Sequence, residues 1–185
     1  APAKVNFYLH VAQPDDKGYH PLQSLVVFAD IGDEIALEPK RSGPGLNLHI
    51  EGRFAEGLST AEDNLVIKAV RRFEQATGAS VAADIRLTKA LPVASGIGGG
   101  SADAGAILYL LRQAYAPDMP DSDLETLAAA VGADGVMCLW AKASVAEGYG
   151  EKLTSVSVPS MPAVLVNPGI ECPTPAVFRQ YDTQG

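Results

Sequence analysis
The sequence predicts an α+β fold, and three observations predict it. Strand-like and helix-like segments follow one another without a regular βαβ repeat, which argues against a doubly wound sheet. Residues 4–11 alternate apolar and polar with the period of a strand. Three later stretches place apolar residues at the spacing of a helix face.

In the first strand Val5, Phe7, Leu9 and Val11 fall on one side and Lys4, Asn6, Tyr8 and His10 on the other. Leu22 to Ala29, Glu34 to Glu38 and Leu46 to Glu51 read as three more strands. Asp63 is placed to cap a helix with the stripe Val66, Ala69, Val70 and Phe73, stopped by Gly78. Residues 81–88 form a further strand, then a Gly-rich stretch at 96–100 opens a helix with Ala104, Ile107, Leu108 and Leu111 on one face. Ser122-Asp123-Leu124-Glu125 has the pattern of a capping box, opening a helix that turns Leu124, Leu127, Ala128 and Val131 inward. Strands are expected at 143–147, 153–158 and Ala163 to Val166, and Pro173-Thr174-Pro175 leads into a short final helix.

The 185 residues fit one domain with room for the start of a second. At 47% hydrophobic and 19% charged residues, the chain can build a core. No apolar run reaches the roughly 18 residues of a membrane span, and no charged-then-apolar leader precedes the first strand. A cytoplasmic protein without membrane attachment is the expectation. The chain opens at Ala1 rather than methionine, as a processed chain or a fragment does. Cys138 and Cys172 have no C-x-x-C spacing and no nearby histidine, so two reduced structural thiols are expected rather than a disulfide or a metal site. A net charge of -8 with dispersed basic residues opposes a nucleic-acid partner and confines phosphate binding to one small site.

That site is suggested by Leu91-Pro-Val-Ala-Ser-Gly-Ile-Gly-Gly-Gly-Ser-Ala-Asp-Ala104. Gly96, Gly98, Gly99 and Gly100 permit positive φ and bring backbone N–H groups close to a ligand. The helix behind them offers free N–H groups and the positive end of its dipole to a polyphosphate. Ser101 adds a hydroxyl suited to a phosphate oxygen or to a magnesium ion. A tight turn is the other reading of the same glycines. The segment is no Walker loop, and Ser101 stands where a dinucleotide fingerprint has its third glycine.

In order and in flanks, the loop resembles the phosphate-binding motif of the galactokinase, homoserine kinase, mevalonate kinase and phosphomevalonate kinase (GHMP) superfamily, where a proline, here Pro92, precedes a Gly-Leu-Gly-Ser-Ser-Ala-like run. Within it the chain most resembles the 4-diphosphocytidyl-2-C-methyl-D-erythritol kinases, through Ala1-Pro-Ala-Lys-Val-Asn6, Gly18-Tyr-His20, Glu62-Asp-Asn-Leu65, the loop, Gly132-Ala-Asp134 and Pro173-Thr-Pro-Ala-Val-Phe178. The resemblance implies a ribosomal-protein-S5-like N-terminal domain over residues 1–160. Residues 161–185 would begin a C-terminal domain whose further Gly-rich segment lies past Gly185.

It also implies roles. Asp134 would accept the proton of the attacking hydroxyl, beside Lys4, which holds it ionised; Asn6 and Thr174 would contact the substrate. Tyr19 would stack on a cytosine, His20 would hydrogen-bond its edge and Phe178 would cover its other face. The loop, with Asn64 and Lys89 on the adenine side, would bind ATP and its magnesium ion. The implied partner is a small molecule bearing a cytidine diphosphate group, phosphorylated on its 2-hydroxyl. Read from the residues alone, Asp134 also suits a helix cap, Lys4 a solubilising surface charge, Lys89 a solvated strand end and the aromatics a cover for the sheet. Gly135-Val136 depart from the hydrophobic residue and proline usual after that aspartate, which adds backbone freedom. The rivals are a mevalonate- or homoserine-type kinase, which has no base to stack, and a non-catalytic RNA-binding domain of the same fold, which the acidic charge disfavours. His10 and His49 match no motif and are read as structural.

Overall fold
The computed structural model describes residues 1–16, 18–40, 43, 45–170 and 172–184; Lys17, in the turn predicted before Tyr19, and Gly185 lie outside the described residues. Twelve elements follow in the order β1 (Pro2–Val11), β2 (Leu22–Gly32), β3 (Glu34–Pro39), β4 (Leu46–Glu51), α1 (Leu65–Thr77), β5 (Ala83–Thr88), α2 (Gly99–Tyr115), α3 (Asp121–Val131), α4 (Gly135–Trp140), β6 (Ser144–Gly148), β7 (Lys152–Ser155) and α5 (Thr174–Gln184). The strands make two sheets, an antiparallel one in the order β1-β2-β6-β7 and a three-stranded one in the order β3-β5-β4. In the second, β5 pairs antiparallel with β3 and parallel with β4, and α1 supplies the crossover a parallel pair requires. The α+β expectation holds.

Two cores follow from the helix stripes. Val66, Ala69, Val70 and Phe73 of α1 meet Ala104, Ile107, Leu108 and Leu111 of α2 and Ile85 and Leu87 of β5, all at most 2% exposed. A smaller cluster of Val26, Ala102, Met137, Cys138 and Ala146 joins the other sheet to α2 and α4. Helix α2 therefore contributes to both. It meets α4 closely because Gly105 has no side chain; a Cβ there would lie 2.8 Å from the Leu139 backbone.

Several sequence expectations are corrected. Asn64, not Asp63, caps α1, its Oδ1 accepting from Val66 N at 2.8 Å, because Asp63 is engaged by the Ser59 hydroxyl. No capping box opens α3: the helix starts two residues earlier behind Pro120, no side chain caps it, and Ser122 bonds Asp123 instead. Residues 163–166 form no strand; Val164 and Val166 are each 87% exposed, because β7 is the last strand of its sheet and nothing pairs beyond it. In β1 the polar side is the covered one: Lys4 is buried while Phe7 and Leu9 stay half-exposed. A register irregularity between Asn6 and Tyr8 sets two β1 residues against one step of β2.

Candidate active site
The Gly-rich loop is held at both ends by bonds that leave its glycines open. On leaving β5, the backbone N–H groups of Ala90 and Leu91 donate to Asp33 Oδ1 at 2.7 and 2.8 Å. Before α2, the Lys4 N–H donates to the Ile97 carbonyl at 2.8 Å, fastening the loop to β1. Gly98 sits at the N-cap of α2 with φ 69°, and a Cβ there would press on Lys4 at 3.2 Å, so glycine is required on both counts. No side chain caps this helix and no acid sits in its first turn, so its N–H groups and dipole are available to an anion. The loop lines a cleft of about 470 Å³ together with Asn64, Lys89, Asp103, Asp134 and Thr174.

Beneath the loop lies a charge cluster. Lys89 is not the solvated strand end its position suggests; it is 5% exposed, and its ammonium donates to Asp33 Oδ2 and, at 2.8 Å, to Asp103 Oδ2. Burial works to lower the Lys89 pKa, but the charges and hydrogen bonds of Asp103 and Asp33 outweigh it and leave it raised. Burial pushes the Asp103 carboxyl up to about 6 against the pull of Lys89, since one ammonium serves two carboxylates. Asp103 Oδ1 is buried without a hydrogen-bond partner. The Asn64 amide is engaged too, its Oδ1 capping α1 and its Nδ2 donating to the Ser59 carbonyl at 2.7 Å.

At the other side of the cleft, Lys4 and Asp134 come together. Lys4 Nζ lies 3.6 Å from Asp134 Oδ2 and donates to Asn6 Oδ1 at 2.8 Å. The Asn6 amide donates to Ser24 Oγ at 2.6 Å, and that hydroxyl donates to the Tyr8 carbonyl, also at 2.6 Å. The chain of bonds fixes the direction of the Lys4 ammonium. Asp134 occupies the N-cap position of α4 yet makes no capping bond, so its 41% exposed carboxylate is not consumed by the helix. Gly135 permits this arrangement, because a Cβ there would lie 1.9 Å from the Ala128 carbonyl oxygen at the end of α3. Behind the pair, burial pushes the Cys138 thiol up to about 12, with Asp134 adding to it; the thiol stays protonated and unreactive.

The aromatic residues are placed in two groups. Tyr19 meets Tyr149 of the β6–β7 turn edge-on, ring centroids 5.8 Å apart. Phe178 of α5 lies against His20 at 5.2 Å, and Asp182 of the same helix takes the His20 Nε2 edge at 2.6 Å. Tyr19 and Phe178 are not in ring contact with each other among the described residues. Lys4, Asn6 and Asp134 are thus joined directly, and Pro92, Gly96, Gly98, Gly99, Gly100, Ser101, Asn64, Lys89 and Thr174 share the cleft with Asp134. His10 and His49 lie on the surface outside that cleft. Sequence reasoning missed Asp33, Asp103, Ser24 and Tyr149. Only Asp103 carried a signal, an acid among the small residues of a buried helix face.

Residues 64–142 match the family model described as the GHMP kinases N terminal domain. Curated relatives called 4-diphosphocytidyl-2-C-methyl-D-erythritol kinase are 50% identical over 98% of this chain in Caulobacter vibrioides and 48% over 97% in Dinoroseobacter shibae. The chain spans 62% and 58% of those relatives' lengths. A crystal structure of 4-(cytidine 5'-diphospho)-2C-methyl-D-erythritol kinase superposes with TM-score 0.81 at 34% identity, over 97% of this chain and 62% of that one. Homoserine kinase from Cytophaga hutchinsonii shares the fold at TM-score 0.63 and 20% identity, over 99% of this chain and 65% of that one. With its Gly-rich loop leading into α2 between the two sheets, the chain has the fold of a GHMP kinase N-terminal domain.

Proposed function
We propose that this chain is the part of a kinase that binds ATP and orients the acceptor, transferring the γ-phosphoryl group to the 2-hydroxyl of 4-diphosphocytidyl-2-C-methyl-D-erythritol, a step toward isoprenoid precursors. The observation that carries the reading is the Lys4–Asp134 pair, 3.6 Å apart, with Asp134 lining the same cleft as the uncapped start of α2. Polyphosphate binds the N–H groups of the loop and of the first α2 turn. The acceptor hydroxyl lies against Asp134, which receives its proton as the new P–O bond forms and ADP leaves. Lys4 orients the carboxylate, which suits phosphoryl transfer, where positioning and charge matter more than a strong base. The names of the relatives support a cytidine-bearing substrate, and we assign its recognition to Tyr19, His20 and Phe178, with Asn6 and Thr174 toward the acceptor.

Among the described residues no group of three or more His, Cys, Asp or Glu side chains stands ready to hold a metal ion. A magnesium ion would arrive with the nucleotide, where the Ser101 hydroxyl would help to hold it, and it would supply charge neutralisation at the phosphates. No helix of the described residues is long and apolar enough to cross a membrane. The test is ATP consumption by this sequence carried in a chain of the relatives' length. The cytidine-bearing acceptor should be phosphorylated, and mevalonate and homoserine should not. Turnover of mevalonate or homoserine in its place overturns the assignment of substrate.

A further inference from the structure
Outside the residues given a role so far, the β6–β7 turn carries a contact that its own hairpin does not need. Tyr149 reaches across 134 residues of sequence to donate its hydroxyl to Asp15 Oδ2 at 2.5 Å. The other oxygen of the same carboxylate accepts the Tyr19 N–H at 3.0 Å, and the Tyr19 carbonyl accepts the Asp15 N–H at 2.9 Å. The Tyr149 and Tyr19 rings meet at 5.8 Å with an interplanar angle of 62°, within the favoured range for an aromatic pair. Gly148 and Gly150, at φ 71° and 105°, give the turn its shape, and the Tyr149 N–H donates to Glu151 at 2.6 Å, fixing where the ring is presented. Tyr19 nonetheless remains 64% exposed, which leaves ring surface for a stacked ligand.

We propose that Tyr149 is a positioning residue for Tyr19, latched through Asp15, and that it tunes affinity for a planar nucleobase rather than for ATP. This rests on the cytidine reading of Tyr19 given above. A solvent-exposed tyrosine on a turn loses rotamer freedom when a base stacks on it, and a ring already braced by a neighbour loses less. Removing the brace costs affinity at the base alone, about three- to tenfold for one immobilised side chain.

The probe is cytidine 5′-diphosphate in titration calorimetry, with magnesium-ATP as the internal control, on wild type, Tyr149→Phe, Tyr149→Ala and Asp15→Asn. Tyr149→Ala should raise the Kd for cytidine diphosphate by about tenfold, and Tyr149→Phe, which keeps the ring and loses the latch, by about threefold. The Kd for magnesium-ATP should stay at the wild-type value in all variants, and saturating substrate should restore the wild-type turnover. Asp15→Asn serves as the second arm and should match Tyr149→Phe, since it weakens the same bond without touching a ring. Wild-type affinity for cytidine diphosphate in both Tyr149 variants overturns the positioning role, as does an equal loss for both ligands. A wild-type protein that binds magnesium-ATP and no cytidine diphosphate refutes the cytidine reading itself, and the positioning role with it.

Discussion
At the scale of single residues, Asp134 and Asp103 are two carboxylates given opposite tasks by their surroundings. Asp134 is partly exposed, beside an ammonium and free of its helix, as the proposed base must be. Asp134→Asn keeps the shape and removes the negative charge, so phosphoryl transfer should fall by ~10²–10⁴-fold while magnesium-ATP affinity is kept. Steady-state rates and nucleotide titration decide it; near-full turnover would reduce Asp134 to the end of a helix. Asp103 is buried with one oxygen unsatisfied and its pKa pushed from 3.8 up to about 6. Between those values the folded chain still holds a proton that the unfolded chain has lost, so this group makes stability fall as pH rises through that window. Above it, the penalty is complete. Asp103→Asn removes the titration and leaves Lys89 its partner Asp33, so the melting temperature of the variant relative to wild type should climb from about pH 4 to about pH 6 and then level off. A variant that is less stable at every pH would show that the second carboxylate is needed to keep Lys89 buried.

At the scale of elements, the seat of α4 on α3 explains the departure seen in the sequence after Asp134. A side chain at residue 135 has no space, since its Cβ would stand 1.9 Å from Ala128 O. Gly135→Ala should therefore push the two helices apart, costing about 1–3 kcal/mol as an overpacked contact does. The sole tryptophan reports on this seat, because Trp140 of α4 donates its Nε1–H to Glu125 of α3 at 2.7 Å. Denaturant unfolding followed by Trp140 fluorescence should show the loss; an unchanged midpoint would mean the seat is soft. Elements of this kind were legible wherever one face is buried: the stripes of α1 and α2 are read directly from their spacing, and both match the observed core. Legibility ended where a partner lies far along the chain. Lys89 looks solvated in sequence because Asp33, its counter-charge, is 56 residues away. The 163–166 segment looks like a strand because it is apolar, and local sequence does not show that β7 ends its sheet. Lys4 reads as a surface charge because its cover, the loop at Ile97, comes from another part of the chain. Of the candidate site, the loop and the Lys4–Asp134 pair were found through several motifs in order, whereas the Tyr19–Tyr149 pairing had no signal in either local sequence.

At the scale of the molecule, the question is whether two sheets and two cores behave as one unit, since the loop lining the cleft leaves β5 of one sheet and is tied to β1 of the other through Lys4 N. Helix α2 links them, with Ile107, Leu108 and Leu111 in the larger core and Ala102 in the smaller. It also starts at the Gly-rich loop, so a strain in either core reaches that loop through one rigid element. Leu108→Ala empties a fully buried position in the larger core and should cost about 2–5 kcal/mol. Each core has its own reporter. Trp140 packs against the larger one, and Cys138, 2% exposed, belongs to the smaller. With Cys172 exposed and labelled at once, the slow phase of thiol modification measures the opening of the Cys138 site. If the cores unfold together, Leu108→Ala should shift the Trp140 fluorescence transition and the denaturant dependence of Cys138 labelling by the same amount. If Cys138 stays protected while Trp140 loses its native signal, the four-stranded sheet stands on its own, and α2 joins two independently stable halves.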